Sequence, residues 1–287
     1  MTHFDLAHID RALASTRFAG KLHHFETIGS TNIHAVDAAS TGAPDGSVYI
    51  ADEQTAGRGR GGHTWHSIPG DGLYLSALIR PSTPIPLADA LWISLSTGLA
   101  AQRAIHQTTG LVADIRWPND LILNTKKVGG ILVESASTPA TAQHPAHLRF
   151  AVIGIGINVN HAEFPAELAP LATSLRLEKG RESGAPHSRE SLVQNLLLAL
   201  DDELYALELE LRGDLPTPAP PGDGSAAAGL LARFTRASTW IHGMHVRVDE
   251  AGGYTGITAG LDARGFLQVA GDDGLLHTVL SGGVRPA

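Results

Sequence analysis

The chain has 287 residues, 43% of them hydrophobic and 17% charged, with a formal net charge of −8. That balance suits a globular protein with a sizeable core, and it excludes a global basic footprint for nucleic acid, so any anion must be held by a local cluster of positive charge. Cysteine is absent, which excludes disulfides, thiolate metal sites, iron–sulfur clusters and cysteine nucleophiles and fits a reducing compartment.

Residues 1–29 read as a short amphipathic start, interrupted by His3, Asp5, His8, Asp10 and Arg11, so no apolar core of signal-peptide type is present. No stretch is long and apolar enough to cross a bilayer, and a cytoplasmic protein is expected. A helix is expected from Ser30–Thr31, whose hydroxyls can cap it ahead of Ala35, Val36 and Ala38. Gly42 to Gly46 break it, and strands follow at 47–51 and 73–79, separated by a Gly/Arg loop at 57–62. Leu87, Leu91, Leu95 and Leu99 at i, i+4 spacing predict a helix over about 86–108.

A hairpin is expected next, with strands at 121–123 and 128–133 turned by Asn124–Thr125. Residues 136–147 read as loop, and 150–159 as a strand with two glycines inside it. Ser188 caps a long helix whose Leu192, Leu196, Leu200, Leu204, Leu207 and Leu211 form one apolar stripe, read as core. Proline and small residues make 214–229 a linker, giving a first domain at 1–229 and a second at 230–287. Short strands at 244–248, 254–259, 266–270 and 276–280 predict a small β module there. Nothing of ligand type stands at 238–287, so that module is expected to serve stability or a later reaction step.

Gly57 to Gly62 fit G-x-G-x-x-G, but no helix pattern follows, so the dinucleotide-binding fingerprint lacks its context. The segment reads better as a loop carrying Arg58 and Arg60, whose guanidinium groups and nearby backbone donors suit a phosphate; the alternative is a mobile basic surface loop. Arg116-Trp117-Pro118-Asn119-Asp120 offers side-chain oxygens before the hairpin, or is simply a turn. Lys127 enters a strand whose Gly129 and Gly130 leave room for a ligand, whereas a turn lysine is usually solvated. Gly154, Gly156 and Asn158 mark either close approach to a ligand or a bulge. The histidine pairs His63/His66, His144/His147 and His242/His245 lack a third ligand and are read as scattered, not metal-binding.

In this order the motifs resemble the biotin protein ligases: Ser30-Thr31-Asn32, Glu53 to Arg60 with Trp65 following, Trp117-Pro118-Asn119-Asp120, Lys127 to Glu134, Gly154 to Asn158, Ala172-Thr173-Ser174-Leu175, and Ser281-Gly282-Gly283-Val284. Each motif alone is weak or moderate; the ordered set is specific. The resemblance implies an α+β fold, with a catalytic domain like that of class II aminoacyl-tRNA synthetases and a small C-terminal SH3-like barrel. It implies a ligase that activates biotin with ATP as biotinyl-5′-adenylate, with Mg²⁺ on the polyphosphate, and then transfers biotin to a lysine of the biotin carboxyl carrier protein.

By that resemblance Lys127 and Arg58 are the catalytic residues. Ser30, Thr31, Asn32, Gln54, Arg58, Gly59, Arg60 and Lys127 hold biotin, and Arg58, Arg60, Trp65, Asn119, Gly130 and Asn158 hold ATP or the adenylate. No protein metal ligand is assigned, and a homodimer is left open. The start of the motifs at residue 30 leaves too little chain for a DNA-binding domain, so DNA and membrane are not expected partners. Gly61 and His63 depart from residues common in the family, so the loop is expected to close less tightly. The nearest rivals are a lipoate ligase, which shares the chemistry, and a non-catalytic biotin-binding protein.

Overall fold

The computed structural model describes residues 4–141, 145–180, 186–214, 229–250, 252–281 and 283–287. Nearly all of the expected linker at 214–229 lies outside the described residues, as do His144 and Gly282.

Two side chains start the first helices by accepting from orphan backbone donors. Asp5 Oδ1 takes the His8 N–H at 2.9 Å and opens α1 (Leu6–Ala12). Ser30 Oγ takes the Ile33 N–H at 3.5 Å and opens α2 (Thr31–Ser40). Between them runs β1 (Leu22–Ile28), a strand the sequence reading did not foresee. β2 (Val48–Gln54), β3 (Gly72–Ile79), β4 (Asp114–Arg116), β5 (Asp120–Leu123), β6 (Lys126–Ser137) and β7 (Leu148–Asn158) complete a seven-stranded sheet in the order β1-β2-β3-β7-β6-β5-β4. Only β1 and β2 run parallel; the other neighbours are antiparallel. The β5–β6 hairpin turns on Asn124 and Thr125 at φ 45° and 71°, the left-handed pair that a tight hairpin demands.

The alternation along β7 shows what covers each face. Ala151, Ile153 and Ile155 share a cluster with α3 (Leu91–Thr109) and α5 (Arg189–Arg212). Phe150 and Val152 share another with Ala35 and Ala39 of α2. The sheet is therefore covered on both sides, and β3 is buried along its whole length. The expected start of α3 at 86 is corrected: residues 87–89 form a single 3-10 turn and the helix begins at Leu91. β6 likewise runs on to Ser137, into the expected loop.

After the short α4 (Leu175–Glu178), α5 buries five leucines of its stripe, from Leu192 to Leu207. α6 (Leu230–Ala237) packs Phe234 near Gly98 of α3 and pairs Arg233 with Glu203 of α5 at 2.8 Å. Residues 230–237 thus lie with the helices of the first sheet, beyond the division expected at 229/230. A second, antiparallel sheet follows, formed by β8 (His242–Val248), β9 (Tyr254–Leu261), β10 (Leu267–Gly271), β11 (Leu276–Val279) and β12 (Val284–Pro286) in the order β11-β10-β9-β8-β12. Its inner Val246, Val248, Val269 and Val279 belong to the same continuous apolar cluster as α3 and α5. Trp92 and Trp117 tie the sheets together, each donating its indole N–H at 2.9 Å, to the Arg264 and Gly265 carbonyls. No helix among the described residues is long and apolar enough to cross a membrane.

Candidate active site

A cleft open to solvent is lined by segments that are far apart in the chain. It contains Ser30, Thr31, Asn32, Gln54, Arg58, Gly59, Arg60, Trp65, Asn119, Lys127 and Gly130, so the structure brings together all but one of the site residues expected from the sequence. Leu75, Ser76, Ile131, Leu132, Gly154, Ile155 and Gly156 complete the wall.

One end of the cleft is a polar seat at the start of α2. Gln54 Oε1 accepts from the Thr31 N–H at 2.8 Å and from its hydroxyl at 3.1 Å. Ser76 lies 2.8 Å from Thr31 Oγ1 and 3.1 Å from Asn32 Oδ1, and Asn32 Nδ2 donates to Glu134 Oε2. Thr31, Asn32 and Ser76 are buried, Gln54 and Glu134 are half-buried, and the bonds among them fix their directions before any ligand arrives. Ser76 and Glu134 were missed by the sequence reading: they sit in strands as ordinary polar residues, and only the packing of α2 on β3 and β6 gives them partners.

The other end is cationic. Lys127 Nζ lies 2.5 Å from Asp120 Oδ1, and Arg116 holds Oδ2 of the same carboxylate at 2.6 Å. Burial alone would raise the Asp120 carboxyl, but Lys127 and Arg116 outweigh it and hold it below the usual carboxylate range. The Lys127 backbone is clamped by the Ala172-Thr173 segment: its N–H donates to Leu171 O at 2.8 Å and its carbonyl accepts from Thr173 N at 2.9 Å. Lys126, by contrast, reaches away to Ala169 O at 2.9 Å.

The Gly/Arg loop closes the side. Gly61 and Gly62 have φ of 64° and 82°, so glycine at position 61 suits a left-handed backbone that a side chain would strain. Arg58, half exposed, stands 3.5 Å from Glu134 Oε1. Arg60 donates to Asn119 Oδ1 at 2.9 Å and also to the carbonyl of Ser281, in the turn between β11 and β12; burial lowers its pKa, opposed by Asp120 and Glu250. Trp65 follows, with Lys127 Nζ 5.6 Å from its ring centre.

One expected site residue stands apart from the cleft lining. Asn158 does not line the cleft; it is buried at the end of β7 and donates to Thr173 O at 3.0 Å, thereby steadying the segment that clamps Lys127. The glycines of β7, besides lining the cleft, leave room for protein groups: a Cβ at Gly156 would stand 2.6 Å from the Trp65 ring, and one at Gly154 would stand 2.5 Å from Asn32 Oδ1. Gly130 and Gly156 are register partners, and together they form a flat floor for the indole, whose Nε1 is buried without a hydrogen bond.

Residues 25–158 match the biotin/lipoate A/B protein ligase family. A biotin–[acetyl-CoA-carboxylase] ligase of Mycobacterium tuberculosis is 34% identical over 245 residues, 83% of this chain and 79% of that protein. The chain belongs to the biotin protein ligase family. This family member is also 38% identical over 178 residues to the bifunctional ligase/repressor BirA of Bacillus spizizenii, a match over 61% of this chain and 51% of that protein. It thus spans about half the length of that relative. Its fold matches the biotin protein ligase of Aquifex aeolicus in complex with biotin and ATP, at a TM-score of 0.71 and 25% identity, covering 93% of this chain and all of that one.

Proposed function

We propose that this chain joins biotin to ATP and then to a lysine of a biotin carboxyl carrier protein. One observation carries the reading: a buried polar seat and a group of three cations, Lys127, Arg58 and Arg60, share one cleft. The seat suits a neutral ring with donors and acceptors, such as the ureido ring of biotin, through Ser30, Thr31, Asn32 and Gln54. The cations suit a carboxylate and a polyphosphate, two anions that repel each other unless positive charge stands between them.

The biotin carboxylate oxygen attacks the α-phosphorus, pyrophosphate leaves, and a mixed anhydride results. The acceptor lysine then attacks the anhydride carbonyl, an amide forms, and AMP leaves. Lys127 bridges the carboxylate and the α-phosphate. Arg58 leaves Glu134 for the incoming anion, and Arg60 faces the phosphates. Trp65 and Gly130 with Asn119 border the adenylate, and the loop excludes water from the anhydride.

The residues present do not form a cage for Mg²⁺. Among the described residues no group of three histidines and carboxylates could hold a metal, and Asp120 is taken by two cations. Mg²⁺ therefore belongs to the ATP as part of the substrate. We place the seven-stranded sheet and its helices in the class II aminoacyl-tRNA synthetase-like type, and the second sheet as an SH3-like barrel. A cytoplasmic setting is part of the same reading, supported by the absence of cysteine.

The test is incubation with ATP, Mg²⁺ and either biotin or lipoate, with detection of pyrophosphate and of the adenylate. Biotinyl-adenylate is expected. An adenylate formed with lipoate and none with biotin overturns the assignment, and binding of biotin without pyrophosphate release returns the chain to a non-catalytic role.

A further inference from the structure

We propose that Glu250 is a positioning residue for the phosphate-facing Arg60, acting through the turn at 280–281. The inference rests on the reading of Arg60 as a phosphate ligand given above.

Glu250 sits in the connection after β8, far from Arg60 along the chain, and does not line the cleft. Its carboxylate nevertheless collects the turn that precedes β12. Oε2 accepts from the Leu280 N–H at 3.0 Å, and Oε1 accepts from the Ser281 N–H and from the Ser281 hydroxyl, the latter at 2.6 Å. An ionised carboxylate with several donors makes stronger bonds than neutral pairs do, so this exposed turn is held in one conformation. The group it presents as a result is the Ser281 carbonyl, which accepts from Arg60.

Arg60 is thus gripped from two sides. The Asn119 side chain, itself donating to Ile131 O at 2.8 Å, fixes one nitrogen to the first sheet, and Ser281 fixes the other to the second. A guanidinium aimed in advance loses less ordering entropy when phosphate arrives. Glu250 also places a negative charge near Arg60, which favours its charged form where burial disfavours it. The second sheet therefore contributes to nucleotide binding by holding an arginine, without touching the nucleotide.

Calorimetric titration with ATP reads this hold directly and needs no turnover, so it decides the inference even where biotin proves not to be the substrate. Glu250→Gln keeps the volume and weakens the grip on the turn. It is expected to weaken ATP binding about fivefold while biotin binding stays within about twofold. In an Arg60→Ala background the same substitution is expected to have no further effect on ATP, since the residue it acts through is gone. Ser281→Ala, which deletes one of the donors and leaves the carbonyl, is expected to give a smaller loss in the same direction. Equal fold-losses with and without Arg60, or a loss of biotin binding as large as that of ATP binding in a protein that melts normally, overturns the proposal.

Discussion

Lys127 Nζ and Asp120 Oδ1 stand 2.5 Å apart across the β5–β6 hairpin, one residue from each strand. The lysine is therefore oriented by its neighbour as well as by its strand, before substrate is present. Under the proposed reaction its ammonium offsets charge that grows on the phosphate oxygens, and so it counts toward rate. Lys127→Ala is expected to fold normally and to form adenylate at least about tenfold more slowly in single turnover, the loss of one charge-assisted contact of about 1.5–3 kcal/mol. Lys126→Ala serves as the contrast, because its ammonium is spent on Ala169 O. Equal rates for the two variants contradict the assignment.

Gly154→Ala tests the polar seat. The new methyl would meet Asn32 Oδ1 at 2.5 Å and push the amide off Ser76 and Glu134. Biotin binding is expected to weaken by at least about tenfold, equivalent to about 1.4 kcal/mol, with ATP binding largely kept. Titration with each ligand separately measures this, and unchanged biotin affinity contradicts the role given to Asn32.

For Asn158 the expected effect is on stability. Its amide is buried and bonded to Thr173 O. Asn158→Ala leaves that carbonyl unpaired, at a cost of about 1–3 kcal/mol in denaturant unfolding. Nucleotide affinity is expected to hold within about threefold, a change of less than 1 kcal/mol. A larger loss of ATP affinity at unchanged stability would restore Asn158 to the binding site.

His161 gives a pH signature. It is fully buried and stacked on Phe164 at 5.2 Å, with His66 nearby. Burial, and then the neighbouring His66, lower its pKa from 6.5 to about 4. Between those values the unfolded chain binds the proton that the folded one refuses, so stability is full above about pH 6.5 and falls as pH drops toward 4. The loss over that window is roughly 3 kcal/mol at most. His161→Phe keeps the stack and removes the titration; its melting temperature should fall less steeply with acid than that of the unchanged protein. Parallel slopes would show that His161 is not the responsible group.

The parts of the fold with strong local signals were legible in the sequence: Ser30 and Ser188 as caps, the leucine stripe of α5, and the Asn124–Thr125 turn. β1 was not, because its Leu-His-His-Phe-Glu-Thr-Ile run has no clean alternation and lies at a sheet edge, where burial is partial. β4 is three residues long and is defined only by pairing with β5. The site was legible as a set of motifs and not as a set of contacts. That Gly130 and Gly156 floor the Trp65 indole depends on the β6–β7 register, and that Asp120 faces Lys127 depends on the irregularity in the β5–β6 ladder. Neither relationship can be read from spacing along the chain. The same limit explains Asn158, a residue of suitable chemistry at a strand end that points to a neighbouring loop.

The valines of the second sheet share their apolar cluster with α3 and α5, and that has a consequence for how the molecule comes apart. Removing residues 238–287 would strip one side from Phe234 and the helices beneath, so such a truncation exposes core and does not release an independent module. The two sheets are then expected to open together: in native-state hydrogen exchange their slowest amides should share one opening free energy, and the molecule should melt in one transition. A second domain by position in the chain is then, in unfolding, half of one cooperative unit.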